Sequence, residues 1–295
     1  MSKSLPQFTL GALDLSPVFT GTRSSDSIEM TLKVAPELED FGYSRYWLAE
    51  HHGPMVAHSS PELLVPVIAG LTKRMRVGTA GILLRLYSPF KVAKDFRLLH
   101  AVFPDRIDLG IARGTAREQE LLLRDGASSE VNFAEKVSDL VSFLRGTAAM
   151  PANPLHVPPP QIWMLGRSTS SMRLATIHGT AFCFACFLAD QAVDPAVVLA
   201  TYRAEFKPSA DCPEPKCSIA VAGVCASTDA KAEELVNQET PIGVDSTVVG
   251  SPESCVRKIR ELHRSTGATE FIFLDMCQQI EDKLESYRLL AEALL

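Results

Sequence analysis

The feature that most constrains this chain is an alternation that recurs eight times along it. A short run of β-branched, aromatic and aliphatic residues is followed by a longer stretch whose apolar positions are spaced for a helix. The β-rich runs fall at residues 13–18, 45–49, 76–83, 106–112, 162–166, 181–187, 218–225 and 270–275. The helical patterns fall at 27–41, 90–103, 132–145, 170–178, 195–206, 229–238, 254–265 and 280–294. Strands that alternate with helices predict a parallel sheet covered by helices, because parallel neighbours need a long crossover. Eight such units predict closure into an α/β (β/α)8 TIM barrel; a doubly wound open sheet is the other arrangement the pattern allows.

Length and punctuation agree with one domain over residues 1–295. The chain is 46% hydrophobic and 22% charged, which is globular composition. Its net charge of −6 argues against a broad surface for nucleic acid or anionic membrane. The N-terminal MSKSLPQFTL has no apolar core of a signal peptide, and no uncharged apolar run is long enough to span a bilayer. Seven scattered cysteines, mostly in apolar runs, predict reduced thiols and a cytoplasmic location. Pro252 after Ser251 reads as a capped helix start, and Gly42 and Gly267 as helix stops. Five prolines between residues 146 and 160 predict a long loop. The stretch 238–251 is the least defined connection.

In a barrel, chemistry gathers just beyond the carboxyl ends of the strands. Beyond the second run stand Glu50, His51 and His52, three ionisable groups in a row. They fit either an acid/base histidine or a pair satisfied by backbone and water; a zinc site lacks the spacing and a third ligand. Gly78, Ala80 and Gly81 in the third run let either a planar ring or a neighbouring strand come close. Arg113 follows the fourth run, as an anion ligand or a surface ion pair. Gly166, Arg167, Ser168, Thr169, Ser170 and Ser171 follow the fifth and open a helix, which fits a phosphate cradle or a plain hydroxyl cap. Cys183 and Cys186 have no second pair at zinc spacing and read as buried thiols.

Several of these segments, in order, resemble the luciferase-like flavin monooxygenases. The resemblance is carried by FGYSRYWLAEHH, RVGTAGILL, SPFKVAKDF, PDRIDLGIARG, IWMLGRSTSSMRLATIHGTAFCFA and GATEFIF, and extends over residues 13–295. It implies a (β/α)8 barrel binding reduced FMN, supplied by a separate flavin reductase, and an FMN-dependent monooxygenase that oxygenates a small organic substrate with O2. A non-catalytic flavin-binding barrel and a deazaflavin-dependent oxidoreductase are the alternatives within the same superfamily. His51 matches the family's active-site histidine. Ala80 and Gly81 match the small pair beneath the flavin ring, where a non-proline cis peptide is often found. Arg113 matches the phosphate-pairing arginine, and Gly166, Arg167, Ser168 and Ser171 the phosphate loop. The resemblance also implies a homodimer built on helices near the second and third strands.

Three departures from the family pattern stand out. Cys186 and Phe187 replace a Ser-His pair common after the sixth strand, which leaves the pocket more apolar. Arg167 replaces a smaller or acidic residue. The stretch 238–251 is shorter than in typical members, a shortened insertion before the last βα unit where relatives carry a mobile loop.

Overall fold

The computed structural model describes residues 7–114, 130–188, 193–236 and 247–295. Ten strands appear among the described residues, all in one parallel sheet. Eight close on themselves in the order β1 (Thr9–Asp14), β2 (Arg45–Leu48), β3 (Arg76–Thr79), β5 (Ile107–Ala112), β6 (Gln161–Gly166), β7 (Ala181–Ala185), β8 (Cys217–Cys225) and β10 (Glu270–Asp275). Closure comes from β10, which pairs with β8 on one side and β1 on the other. The short β4 (Ile82–Leu83) pairs with β5, and β9 (Val248–Gly250) with β8.

Helices fill the crossovers: α1 (Ser24–Asp40), α2 (Pro61–Leu71), α3 (Pro89–Val102), α4 (Glu130–Arg145), α5 (Thr169–His178), α6 (Pro195–Glu205), α7 (Asp229–Val236), α8 (Pro252–Thr266) and α9 (Ile280–Leu294). The punctuation acts as expected. Ser251 caps α8 ahead of Pro252, and Gly267 ends it in the left-handed conformation at φ 70°. No described helix is long and apolar enough to cross a membrane. All seven cysteines are free thiols.

Three boundaries differ from the sequence expectation. The first strand ends at Asp14 rather than running from 13 to 18. Ser16 takes φ 45°, and Pro17 has no amide proton to give a neighbouring strand. The single run expected at 76–83 is two strands that meet at a cis Ala80–Gly81 peptide, β3 and β4 both pairing with β5. Helix α2 is an addition to the expected set. Pro66 inside it argues against helix locally, but Val65, Ile68 and Ala69 bury their side chains and tertiary packing prevails. The shortened insertion expected at 238–251 falls largely on residues outside the described ones; Val248–Gly250 are a strand.

Strand alternation sorts the core into two parts. Tyr46, Leu48, Phe182, Phe184, Phe271 and Phe273 point outward, into the layer shared with the helices. Trp47, Ala49, Trp163, Cys183, Ala220 and Ile272 point into the barrel. The inward positions of β7 are Ala181, Cys183 and Ala185, and those of β8 include Ala220 and Ala222. Small side chains there cannot fill the interior, and the unfilled space opens at the carboxyl ends of the strands.

Candidate active site

That space is a cavity of about 310 Å³. Its floor is Trp47, whose indole Nε1 donates to the buried Asp108 at 2.9 Å. Leu13, Leu15, Leu83, Leu165, Phe187 and Ile272 are among the apolar residues that wall it. His51, Ala80, Gly81, Arg113, Gly166, Arg167, Ser168 and Ser171 all border it, although they come from four separate strand ends.

At one rim, hydrogen-bond donors converge. Ser168 is the N-cap of α5 and accepts from the Ser171 amide at 3.3 Å. Its hydroxyl lies 3.0 Å from that of Ser170 and 3.2 Å from that of Ser171. Arg113 Nη2 donates to Ser170 Oγ at 2.7 Å, and its guanidinium stacks over Phe133. The cation and the hydroxyls therefore share one place with the positive end of α5. Gly166 is required beneath them: at φ 158° it would place a Cβ 2.7 Å from Ser171 Oγ. Arg167 donates to the Leu188 carbonyl, which ties the loop after β6 to the one after β7.

Opposite lies the turn after β2. His51 faces the cavity, and its carbonyl accepts from Ser59 Oγ at 2.8 Å. Glu50 is buried; its carboxylate accepts from Leu83 N at 2.8 Å and Tyr87 Oη at 2.7 Å, and lies 2.9 Å from His52 Nε2. Burial pushes the Glu50 carboxyl up, above the usual carboxylate range, against the pull of these three donors.

The small residues of the third strand answer to packing as well as to the cavity. A Cβ on Gly81 would lie 2.8 Å from the Gly110 carbonyl, and one on Gly110 only 1.9 Å from the Thr79 oxygen. The two strands touch backbone to backbone there, while Ala80 and Gly81 still border the open space.

Residues 8–245 match the luciferase-like monooxygenase family. The chain belongs to that family. A Bacillus subtilis relative, the uncharacterized protein YwcH, is 33% identical over 97% of this chain and 98% of its own. The N-acetyl-S-alkylcysteine monooxygenase of the same organism is 28% identical over 97% and 98%. Among solved structures, apo-MsnO8 superposes with a TM-score of 0.87 at 30% identity, covering 98% of this chain and 99% of that one. Two more distant structures share the fold. One is the oxygenating constituent of 3,6-diketocamphane monooxygenase from a Pseudomonas putida plasmid, in complex with FMN (TM-score 0.78, 17% identity, 98% of each chain). The other is an F420-dependent secondary alcohol dehydrogenase (0.73, 13%, 98% and 100%). The YwcH alignment runs over 330 positions against a chain of 295, so this luciferase-like chain lacks residues that the relative carries.

As a member of the luciferase-like monooxygenase family the chain is an oxidoreductase that acts on a small molecule. Its cavity has features that would suit a flavin-type cofactor. The hydroxyls and guanidinium at one rim have the donor chemistry a phosphate needs, and the apolar walls over Ala80 and Gly81 suit a flat ring.

The sequence reading missed three contributors. Ser170 was part of the hydroxyl run, but nothing local pairs it with Arg113. Trp47 was visible only through strand alternation. Glu50 sat in the motif, while two of its partners lie 33 and 37 residues away. The Cys183-x-x-Cys186 pair holds buried or half-buried thiols, as read, but Cys183 also borders the cavity. Burial pushes the Cys183 thiol up to about 12, which leaves it unreactive near neutral pH.

Proposed function

We propose that the chain is an FMN-dependent monooxygenase that takes reduced flavin from a separate reductase and uses dioxygen to oxygenate a small organic substrate. The observation that carries this reading is the meeting, on one cavity, of the Arg113–Ser168–Ser170–Ser171 cluster with His51 at the other side. The FMN in the related camphane monooxygenase structure supports the choice of cofactor. A flavin, when bound, supplies the redox chemistry.

This chain's own residues have four tasks. Arg113, Ser168, Ser170, Ser171 and the first amides of α5 hold the phosphate, with Gly166 and Arg167 shaping the loop. Ala80 and Gly81 leave room for the ring. The apolar walls exclude water from the reacting atoms. His51 gives or takes a proton at a ring nitrogen facing the cavity. The seven free thiols suit a reducing, cytoplasmic setting.

Titration of the pure protein with FMN, reduced FMN and deazaflavin F420 tests the cofactor. Reduced FMN is expected to bind, and tighter binding of the deazaflavin would replace the reading with hydride chemistry. Coupled assays with an added reductase then test oxygenation. His51→Ala is expected to lower turnover about a hundredfold or more with FMN affinity kept. Equal loss of both would remove His51 from the proton-transfer role, and a wild-type chain that binds flavin but turns over nothing would be a binding barrel.

The same reading includes a homodimer. Leu63, Val67 and Leu71 form an exposed stripe on α2, and Leu98 and Val102 another on α3. Light scattering should give twice the chain mass, and Leu63→Glu with Leu71→Glu should give monomers. A wild-type monomer at micromolar concentration would end this part.

A further inference from the structure

We propose that Glu50 and His52 form a clasp that aims His51 into the cavity, with Glu50 the positioning residue and Tyr87 and the Leu83 amide its anchors. The inference rests on the reading of His51 as the proton-transferring group, and it assigns positioning work to two neighbours, of which Glu50 also borders the cavity.

The register of the segment is the starting point. Along β2 and just past it, Tyr46 and Leu48 lie in the outer layer, whereas Trp47 and Ala49 lie inside the barrel. Past Ala49 the side chains of Glu50 and His51 both reach the cavity lining, whereas His52 does not, so the alternation that places Trp47 and Ala49 inside is not what aims the His51 ring. The Ala49 amide still donates to the Asp14 carbonyl at 2.9 Å, but β2 itself ends at Leu48 and the turn that carries His51 lies beyond it. The Ser59 hydroxyl fixes the His51 carbonyl at 2.8 Å, and the direction of its ring needs a further restraint.

The clasp supplies that restraint. His52 Nε2 lies 2.9 Å from Glu50 Oε1, a direct bond between side chains two residues apart. Such a bond ties the two together and limits how the residue between them can turn. The carboxylate is itself immobile. Tyr87 Oη donates to the same Oε1 at 2.7 Å and Leu83 N to Oε2 at 2.8 Å. The Tyr87 anchor is fastened in turn, since Lys136 Nζ of α4 donates to the Tyr87 carbonyl at 3.0 Å and the Arg85 carbonyl at 2.7 Å. Because Leu83 belongs to β4, one carboxylate joins the His51 turn to the strand that follows Ala80 and Gly81. Both walls are thereby held in one geometry. Only a fixed acceptor with two oxygens can serve donors from three segments in this way.

The experiment compares wild type, Glu50→Gln, His51→Ala and the double variant. Glu50→Gln keeps the volume but lets one oxygen accept where two did. First, the His51 ring signal is followed by NMR on histidine-labelled protein without flavin, assigned by its loss in His51→Ala. The clasp predicts that Glu50→Gln shifts or broadens it. Second, kcat is expected to fall between about tenfold and a hundredfold with KM little changed, as for a group present but misaimed. Third, Glu50→Gln is expected to cost nothing further once His51 is alanine, because it acts through that ring. An unchanged His51 signal overturns the proposal, as does a double variant whose loss equals the product of the single losses. If Glu50→Gln does not fold, His52→Gln breaks the clasp from its more exposed side and must move the same signal. Wild type that fails to bind FMN would sink the functional reading alone, since the ring signal of the flavin-free chain still judges the clasp.

Discussion

The two ends of the barrel treat charge in opposite ways. At the amino ends of the strands, Arg45 and Arg76 close on Asp108, at 2.5 and 2.6 Å, and Arg45 also bonds Glu270. The Arg45 guanidinium lies over the Trp163 ring as well. Burial pushes the Asp108 carboxyl up, but Arg45 and Arg76 outweigh it and hold it below the usual range. At the carboxyl ends the cationic and hydroxyl groups border open space, and burial raises the Glu50 carboxyl that stands beside them. One end turns its charges to closing the barrel; the other, beside the buried Asp275–Lys283 pair, keeps donors facing a cavity. The division follows from strand direction, since the helix N-termini, that of α5 among them, and most of the longer connections lie at the carboxyl-end rim.

The sharpest way to break this contrast is Asp108→Ala. It removes the shared acceptor of two half-buried guanidiniums and of the buried Trp47 N–H, and should cost about 3–5 kcal/mol in a denaturant midpoint. A loss under about 1 kcal/mol would mean that the lower end is not held by charge. Arg113→Ala probes the upper end. It should leave stability nearly unchanged and weaken FMN by roughly ten- to a hundredfold, the worth of a charge-assisted bond of about 1.5–3 kcal/mol. Calorimetry giving wild-type affinity would remove Arg113 from the phosphate site.

A smaller effect concerns pH. Glu39, at the end of α1, accepts from the amides of Lys73, Arg74 and Met75. Burial pushes its carboxyl up, and those three bonds more than reverse the shift. A folded-state value below the unfolded one gives stability that is complete above the ordinary glutamate range and is lost as pH falls through the folded value. Glu39→Gln should therefore cost about 1–2 kcal/mol at neutral pH and little in acid, read from melts across pH. An equal cost at both would assign the effect to shape rather than charge.

How much of this could be read beforehand depends on the range of the interactions. The eight barrel strands were legible because burial on both faces leaves long apolar runs such as 181–185 and 270–275. The first strand was misplaced because Leu13 and Leu15 are apolar for the cavity's sake, beyond or at the end of the ladder, while Thr9–Asp14 reads as ordinary chain. Helix α2 was hidden by Pro66, whose local cost is offset only by partners distant in sequence. At the cavity, the eight residues expected from motifs do share one lining. What could not be read were the pairings between loops, such as Arg113 with Ser170 across 57 residues. Nothing in either segment alone specifies the other. The clasp lies between these cases: the Glu50–His52 contact is local, but its anchors are not.

The two indoles of this chain have a practical consequence. Trp47 and Trp163 are its only tryptophans, and their rings lie 5.1 Å apart inside the barrel. All of the protein's indole emission thus originates at or just below the cavity floor. On the proposed reading, a flavin settling onto that floor would quench it by energy transfer, so occupancy would be readable optically on unlabelled, unmodified protein.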